Sequence, residues 1–111
     1  VADCGKFLKE IYEICNGTSQ SSGLSHAEDM YALLKQQQRT NKIPAALPAG
    51  VQVANKTGEL SDVENDVGIL YNTALGNDLV ICFMSENLND TQAAQNTIAQ
   101  LSSIIYSSYN E

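Results

Sequence analysis

Apolar residues return every three or four positions through Cys4, Phe7, Leu8, Ile11, Tyr12 and Cys15, with Lys6, Lys9, Glu10 and Glu13 between them. That spacing predicts a first helix with one face turned to a core. Asp3 is placed to cap its start and Asn16-Gly17 to end it. The polar stretch from Thr18 to Gly23 reads as a loop. Ser25-His26-Ala27-Glu28 fits a capping box, the serine accepting from the backbone three residues on and the glutamate reaching back. It predicts a second helix to about Gln38, with Ala27, Met30, Tyr31 and Leu34 inward.

Beyond Gly50 the apolar residues alternate instead, which is the period of a strand. Val51 to Thr57, Asp66 to Tyr71 and Leu79 to Met84 read as three strands, the last two joined by the turn residues Leu75-Gly76-Asn77-Asp78. Short links between consecutive strands imply an antiparallel sheet. Asn89 and Asp90 offer an N-cap for a long final helix, whose Ala94, Ile98, Leu101 and Ile105 form a stripe that packs across the sheet. The predicted class is α+β: a three-stranded antiparallel sheet, a long C-terminal helix packed on it, and two N-terminal helices. Residues 1–111 make a single domain, with a helical segment over 1–40, a linker loop over 41–50, and the strands and last helix over 51–111.

Composition narrows the partners. The formal net charge of −7 over 111 residues repels nucleic acid and anionic membrane surfaces. No apolar run is as long as a membrane span. A zinc site finds one histidine, His26, and scattered cysteines. Glu59, Asp62, Glu64 and Asp66 crowd one hairpin, but the calcium-loop pattern fails for want of glycine at its sixth position and glutamate at its twelfth. They read as a solvated acidic hairpin, and no metal or cofactor is expected. Cys4 and Cys15 share a helix face about 16 Å apart, beyond the reach of about 7 Å that a disulfide needs. With Cys82 inside an apolar strand, the three thiols are expected to be unpaired and largely buried.

The candidate chemistry lies in Lys56-Thr57-Gly58 at the close of the first strand. A lysine there supplies fixed positive charge, the threonine hydroxyl can bond a carboxylate, and glycine lets a ligand lie flush against the strand. The next backbone N–H, that of Glu59, is placed to stabilise an oxyanion. Three segments in a row extend the pattern: Ile43-Pro44-Ala45-Ala46-Leu47-Pro48-Ala49-Gly50, then Val51 through Lys56-Thr57-Gly58-Glu59-Leu60, then Asp66-Val67-Gly68-Ile69-Leu70-Tyr71. Together they resemble the C-terminal part of class A serine β-lactamases and related penicillin-binding enzymes, where a Leu-Pro-x-Gly turn leads to a Lys-Thr/Ser-Gly strand and a Gly-Ile strand follows.

The resemblance covers part of an enzyme. None of the ten serines has a lysine three residues on, so the Ser-x-x-Lys nucleophile motif is missing. Ser85-Glu86-Asn87 follows Lys-Thr-Gly where the family's Ser-x-Asn precedes it, and reads as a strand-end turn. Glu86-Asn87-Leu88-Asn89 is one residue short of the family's acidic deacylation motif. The resemblance therefore implies a partial β-lactamase-like fold, a C-terminal fragment silent on its own, with Lys56, Thr57 and Gly58 binding a β-lactam or peptidoglycan-like substrate. Some family members carry a further cation just before the Leu-Pro turn, which makes Lys42 a candidate for the substrate carboxylate. Asp66 and Val67 stand where others have that cation on the neighbouring strand. The family's location implies an extracytoplasmic protein. The chain opens directly inside its first helical pattern, as expected of a truncation. The other expectation is a non-catalytic assembly module, a homodimer or swapped form built through the exposed edge of Leu79 to Met84.

Overall fold

The computed structural model describes residues 1–18, 24–73 and 75–111, so most of the loop expected over 18–23 lies outside the described residues. Helices α1 (Ala2–Cys15) and α2 (Ala27–Leu34) come first, then a 3-10 turn at Ile43–Ala46, strands β1 (Gln52–Leu60), β2 (Val63–Tyr71) and β3 (Leu79–Ser85), and helix α3 (Thr91–Tyr109). The sheet is antiparallel in the order β1-β2-β3. This is the α+β arrangement that the change of period predicts.

Alternation along the strands gives the sheet two different faces. Ala54 and Ile69 meet Leu8, Ile11 and Tyr31 of α1 and α2 on one side. Leu70 and Ile81 meet Ile43, Ile98 and Tyr106 on the other. The inner face of α3 is rotated from the expected stripe: Ile98, Ala99, Ser102 and Tyr106 are buried, while Leu101 is exposed. A reading by hydrophobicity skips Ser102, yet its hydroxyl donates to the Ile98 carbonyl within the helix (2.8 Å) and so enters the core satisfied.

The helix ends differ in part from the pattern. Asn16 and Gly17 close α1 as expected, Gly17 taking a positive φ of 71°. Its start has Val1 at the cap and Asp3 within the first turn, with no side-chain cap. The capping box before α2 does not form: the cap position is His26 in a left-handed conformation, one residue past Ser25, with no side-chain bond capping the helix. Helix α2 stops at Leu34, because the Gln36–Gln38 run offers no apolar residue to the core and Gln37 instead donates to the Asn55 carbonyl (3.3 Å). At α3 the expectation holds, with Asp90 accepting from the Ala93 N–H (3.0 Å). The three cysteines are free and half-buried. Among the described residues no helix is long and apolar enough to cross a membrane.

Strands β1 and β2 run past their expected ends and join through Ser61-Asp62, so the acidic hairpin is not a solvated loop. Glu64 and Asp66 are buried on the α3 face. Register sets Glu59 opposite Glu64 and Thr57 opposite Asp66. Two carboxylates facing each other across a ladder repel, and Lys42, with no exposed surface, resolves the conflict. Its ammonium donates to Glu59 (2.8 Å) and to Glu64 (2.9 Å). Arg39 takes the second oxygen of Glu59 (2.8 Å) and Gln95 of α3 the second oxygen of Glu64 (3.0 Å). Asp66 accepts from the Asn55 amide (2.9 Å) and from the Ile43 N–H (3.0 Å). Lys42 and Ile43, within the stretch read as a linker, are thus both core residues.

Two substitutions probe this layer. A Cβ at Gly68 would stand 2.9 Å from the Asn55 Cβ and 3.3 Å from the Ala54 carbonyl. Gly68→Ala is expected to cost about 1–3 kcal/mol, the usual range for overpacking, read as a lower urea midpoint. Lys42→Met leaves the buried Glu64 without its cation while Glu59 keeps Arg39, and its expected cost is about 3–5 kcal/mol. The double variant Lys42→Met/Glu64→Gln should recover part of that loss; no recovery would mean that packing, not charge, explains the single variant.

Candidate functional site

Lys56, Thr57 and Gly58 lie in mid-strand, paired with Val67, Asp66 and Asn65 of β2. Among the described residues no strand lies on the other side of β1. Side chains reach backbone carbonyls along that open side: Gln37 that of Asn55, and the Lys56 ammonium that of Thr57. In an antiparallel strand one residue's N–H and C=O point to the same side, and alternate residues point oppositely. Asn55, Thr57 and, by the same period, Glu59 therefore turn their backbone groups to the open edge.

The side chains divide between the two faces. Lys56 is exposed on the α1/α2 face, where it borders a cleft of about 400 Å³ whose walls include Phe7, Leu8, Met30 and Leu33. Its ammonium enters no ion pair among the described residues. Thr57 faces the other way and is buried beside Glu59. Gly58 differs from Gly68: an added Cβ would meet nothing closer than Asn65 at 3.7 Å. The described fold does not itself require a glycine at position 58.

Lys42 is the residue whose place departs most from the sequence reading. Read there as a cation for a substrate carboxylate, it is wholly enclosed, with both carboxylate partners from its own chain. Physical cost explains this: an enclosed ammonium is stable only with opposite charges against it. Burial pushes the Glu59 carboxyl up, but the hydrogen bond and charge of Lys42, aided by Arg39 and Thr57, outweigh it and hold Glu59 below the ordinary carboxylate range. For Asp66 burial wins, and its carboxyl lies above that range despite the bonds from Asn55 and Ile43.

The sequence reading missed Asn55, Glu64 and Asp66 as a buried set. A usable signal was present: residues 55, 57 and 59 share one face of β1 while 64 and 66 share the facing side of β2, so five polar side chains converge unless the face is solvated. His26 stands exposed at the start of α2 with Asp29 as its neighbour at 3.4 Å. Ser85-Glu86-Asn87 sits at the end of β3, where the Ser85 hydroxyl donates to the Glu64 carbonyl and Asn87 takes a positive φ. It is remote from Lys56 along the sheet, two strands away.

Comparisons with known proteins bear on this geometry. A β-lactamase from Sphaerobacter thermophilus DSM 20745 is 28% identical, with a TM-score of 0.78 over 96% of this chain and 39% of its own. PBP-A, solved as an acyl-enzyme complex with penicillin G, is 21% identical with a TM-score of 0.79, over 96% of this chain and 38% of its own. A β-lactamase from Chitinophaga pinensis DSM 2588 is 23% identical with a TM-score of 0.77, over 96% and 40%. The chain thus spans about two fifths of the length of these structures. No curated protein matches it. The model of the beta-lactamase enzyme family matches residues 1–109, and this chain, with its Lys-Thr-Gly edge strand between two helical layers, belongs to that family.

Proposed function

We propose that the chain is the C-terminal portion of a class A β-lactamase-like serine hydrolase, carrying one wall of an acyl-transfer site and not its nucleophile. The observation that carries this reading is the contrast along β1. Lys56 is a cation without a carboxylate partner among the described residues, on an open strand edge, two positions from a glycine that the fold itself does not demand. An unrequired glycine at an open edge suits a ligand lying against the backbone.

In the complete site a serine from another segment attacks the β-lactam carbonyl. Lys56 and Thr57 orient the substrate carboxylate, and the Glu59 N–H shares the developing oxyanion. Lys42 acts behind the strand: by neutralising Glu59 it keeps that carboxylate from opposing the one of the substrate. A peptidoglycan-like D,D-peptide is the alternative substrate, in keeping with the likeness to PBP-A, and either substrate belongs to an extracytoplasmic setting.

A second reading, an assembly module, rests on the other edge of the sheet. Among the described residues β3 pairs only with β2, and the exposed Met84 and Leu101 line one cleft beside it. Open apolar edges template pairing with another chain, so a homodimer or swapped form through residues 79–84 follows. Sedimentation equilibrium is expected to show a concentration-dependent dimer. A monodisperse monomer at high concentration removes that reading.

The hydrolase reading is tested with a chromogenic cephalosporin. The chain alone should be silent, and mixing with the separately expressed N-terminal portion of a related enzyme should restore turnover. Lys56→Ala should then lower the restored rate about 100-fold or more, the scale of losing one electrostatic contact in a transition state. Turnover by the chain alone, or turnover on mixing that is indifferent to Lys56, would overturn the assignment.

A further inference from the structure

A second cleft, of about 610 Å³, opens at the far end of the sheet, between the last turn of α1, helix α2 and the paired residues Gln52 and Tyr71. It shares no lining residue with the cleft beside Lys56. We propose that this cleft binds a neutral saccharide ring. Its volume falls within the range of about 300–1,000 Å³ usual for small-molecule sites.

Three tyrosines build the apolar part. Tyr31 meets Tyr12 edge-on at 6.4 Å between ring centres and Tyr71 at 5.8 Å. These contacts fix the rings against one another, so the surface is formed before any ligand arrives. Burial raises the Tyr31 and Tyr71 hydroxyls above their ordinary range. Asp78 anchors the group, accepting from the Tyr12 hydroxyl (2.7 Å) and, through its other oxygen, from the Thr73 hydroxyl (3.2 Å).

The charges around those rings decide the ligand class. The Lys35 ammonium rests 4.1 Å from the centre of the Tyr31 ring and 4.8 Å from that of Tyr71, and joins no ion pair among the described residues. An organic cation would find the faces of both rings already held by that ammonium. An anion would meet Glu28 and Asp78, which line the same cleft. A neutral ring bearing several hydroxyls meets neither obstacle and can bond to groups of both signs. It donates to the carboxylates and accepts from the ammonium, and its C–H groups meet the parts of Tyr12 and Tyr71 that stay half-exposed in the cleft. The amides of Asn16, Gln52 and Asn72 complete the rim with alternating donors and acceptors, Asn72 already donating to Gln52 (3.2 Å).

The chain has five tyrosines and no tryptophan, so three of the five fluorophores line the cleft and intrinsic emission reports its occupancy. Titration of the 111-residue chain with chitotriose and with maltotriose should give a saturable change for at least one of them, with a Kd of about 1 mM or below. Amide shifts in the same titration should concentrate at Asn16, Glu28, Gln52 and Asn72. Glu28→Ala/Gln52→Ala, both at exposed positions, should weaken binding about tenfold, the effect of one or two lost hydrogen bonds, with an unchanged urea midpoint. Choline and acetate serve as the charged probes. Saturable binding of either charged probe at these residues, absence of saccharide binding, or saccharide binding indifferent to the double variant would each overturn the proposal.

Discussion

Glu59 and Glu64 stand opposite each other in the β1–β2 ladder, on the α3 side of the sheet, with Glu64 buried and Glu59 half-buried. The chain answers with one ammonium. Lys42 reaches both carboxylates from a loop that has no secondary structure of its own beyond the short turn that follows it. Much else is set by that requirement. The loop must come down onto the sheet, Arg39 and Asn41 are carried with it to Glu59 and Gln95, and Ile43 arrives over Leu70 and beside Asp66. Replacing such a group by apolar residues is often neutral or favourable for stability. Its value here lies in fixing one arrangement of loop, hairpin and helix.

The two ends of the α3 face consequently hold by different means. Toward Leu70, Ile81 and Tyr106 the contact is apolar and non-directional. Toward the hairpin it is a set of directional bonds that tolerate little displacement. The Lys-Thr-Gly segment spans the border between them. Thr57 belongs to the bonded end through Glu59, and Lys56 projects to the opposite layer. The two glycines follow the same division: Gly68 is demanded by the close approach of Asn55, while Gly58 meets no crowding from its own fold.

Periodicity made α1, the three strands and α3 legible, because burying an apolar stripe is what forms them. It failed where polar residues are buried. Ser102 enters the core through an intrahelical bond, so the inner face of α3 is rotated from the one that apolar residues mark. Glu64 and Asp66 look like solvent residues until register sets them against Lys42 and Asn55, and register is a tertiary fact. Lys42 was legible as a charge near the strand but not as an enclosed one, since its partners lie 17 and 22 residues away in sequence. The capping box at Ser25 matched a local rule that the left-handed His26 overrides.

The two-residue turn at Ser61-Asp62 carries a further meaning for the hairpin above it. Strands slip most readily when either register gives an equally good face. Here a slip of one residue would carry Lys56 and Gly58 toward α3 and expel the carboxylates of one strand from Lys42, leaving an enclosed ammonium short of partners. The ion cluster works as a checksum on the pairing: the register that satisfies Lys42 is also the one that puts the backbone of Thr57 and Glu59 on the open edge. A chain that has paired its charges has, by that act, built its edge correctly.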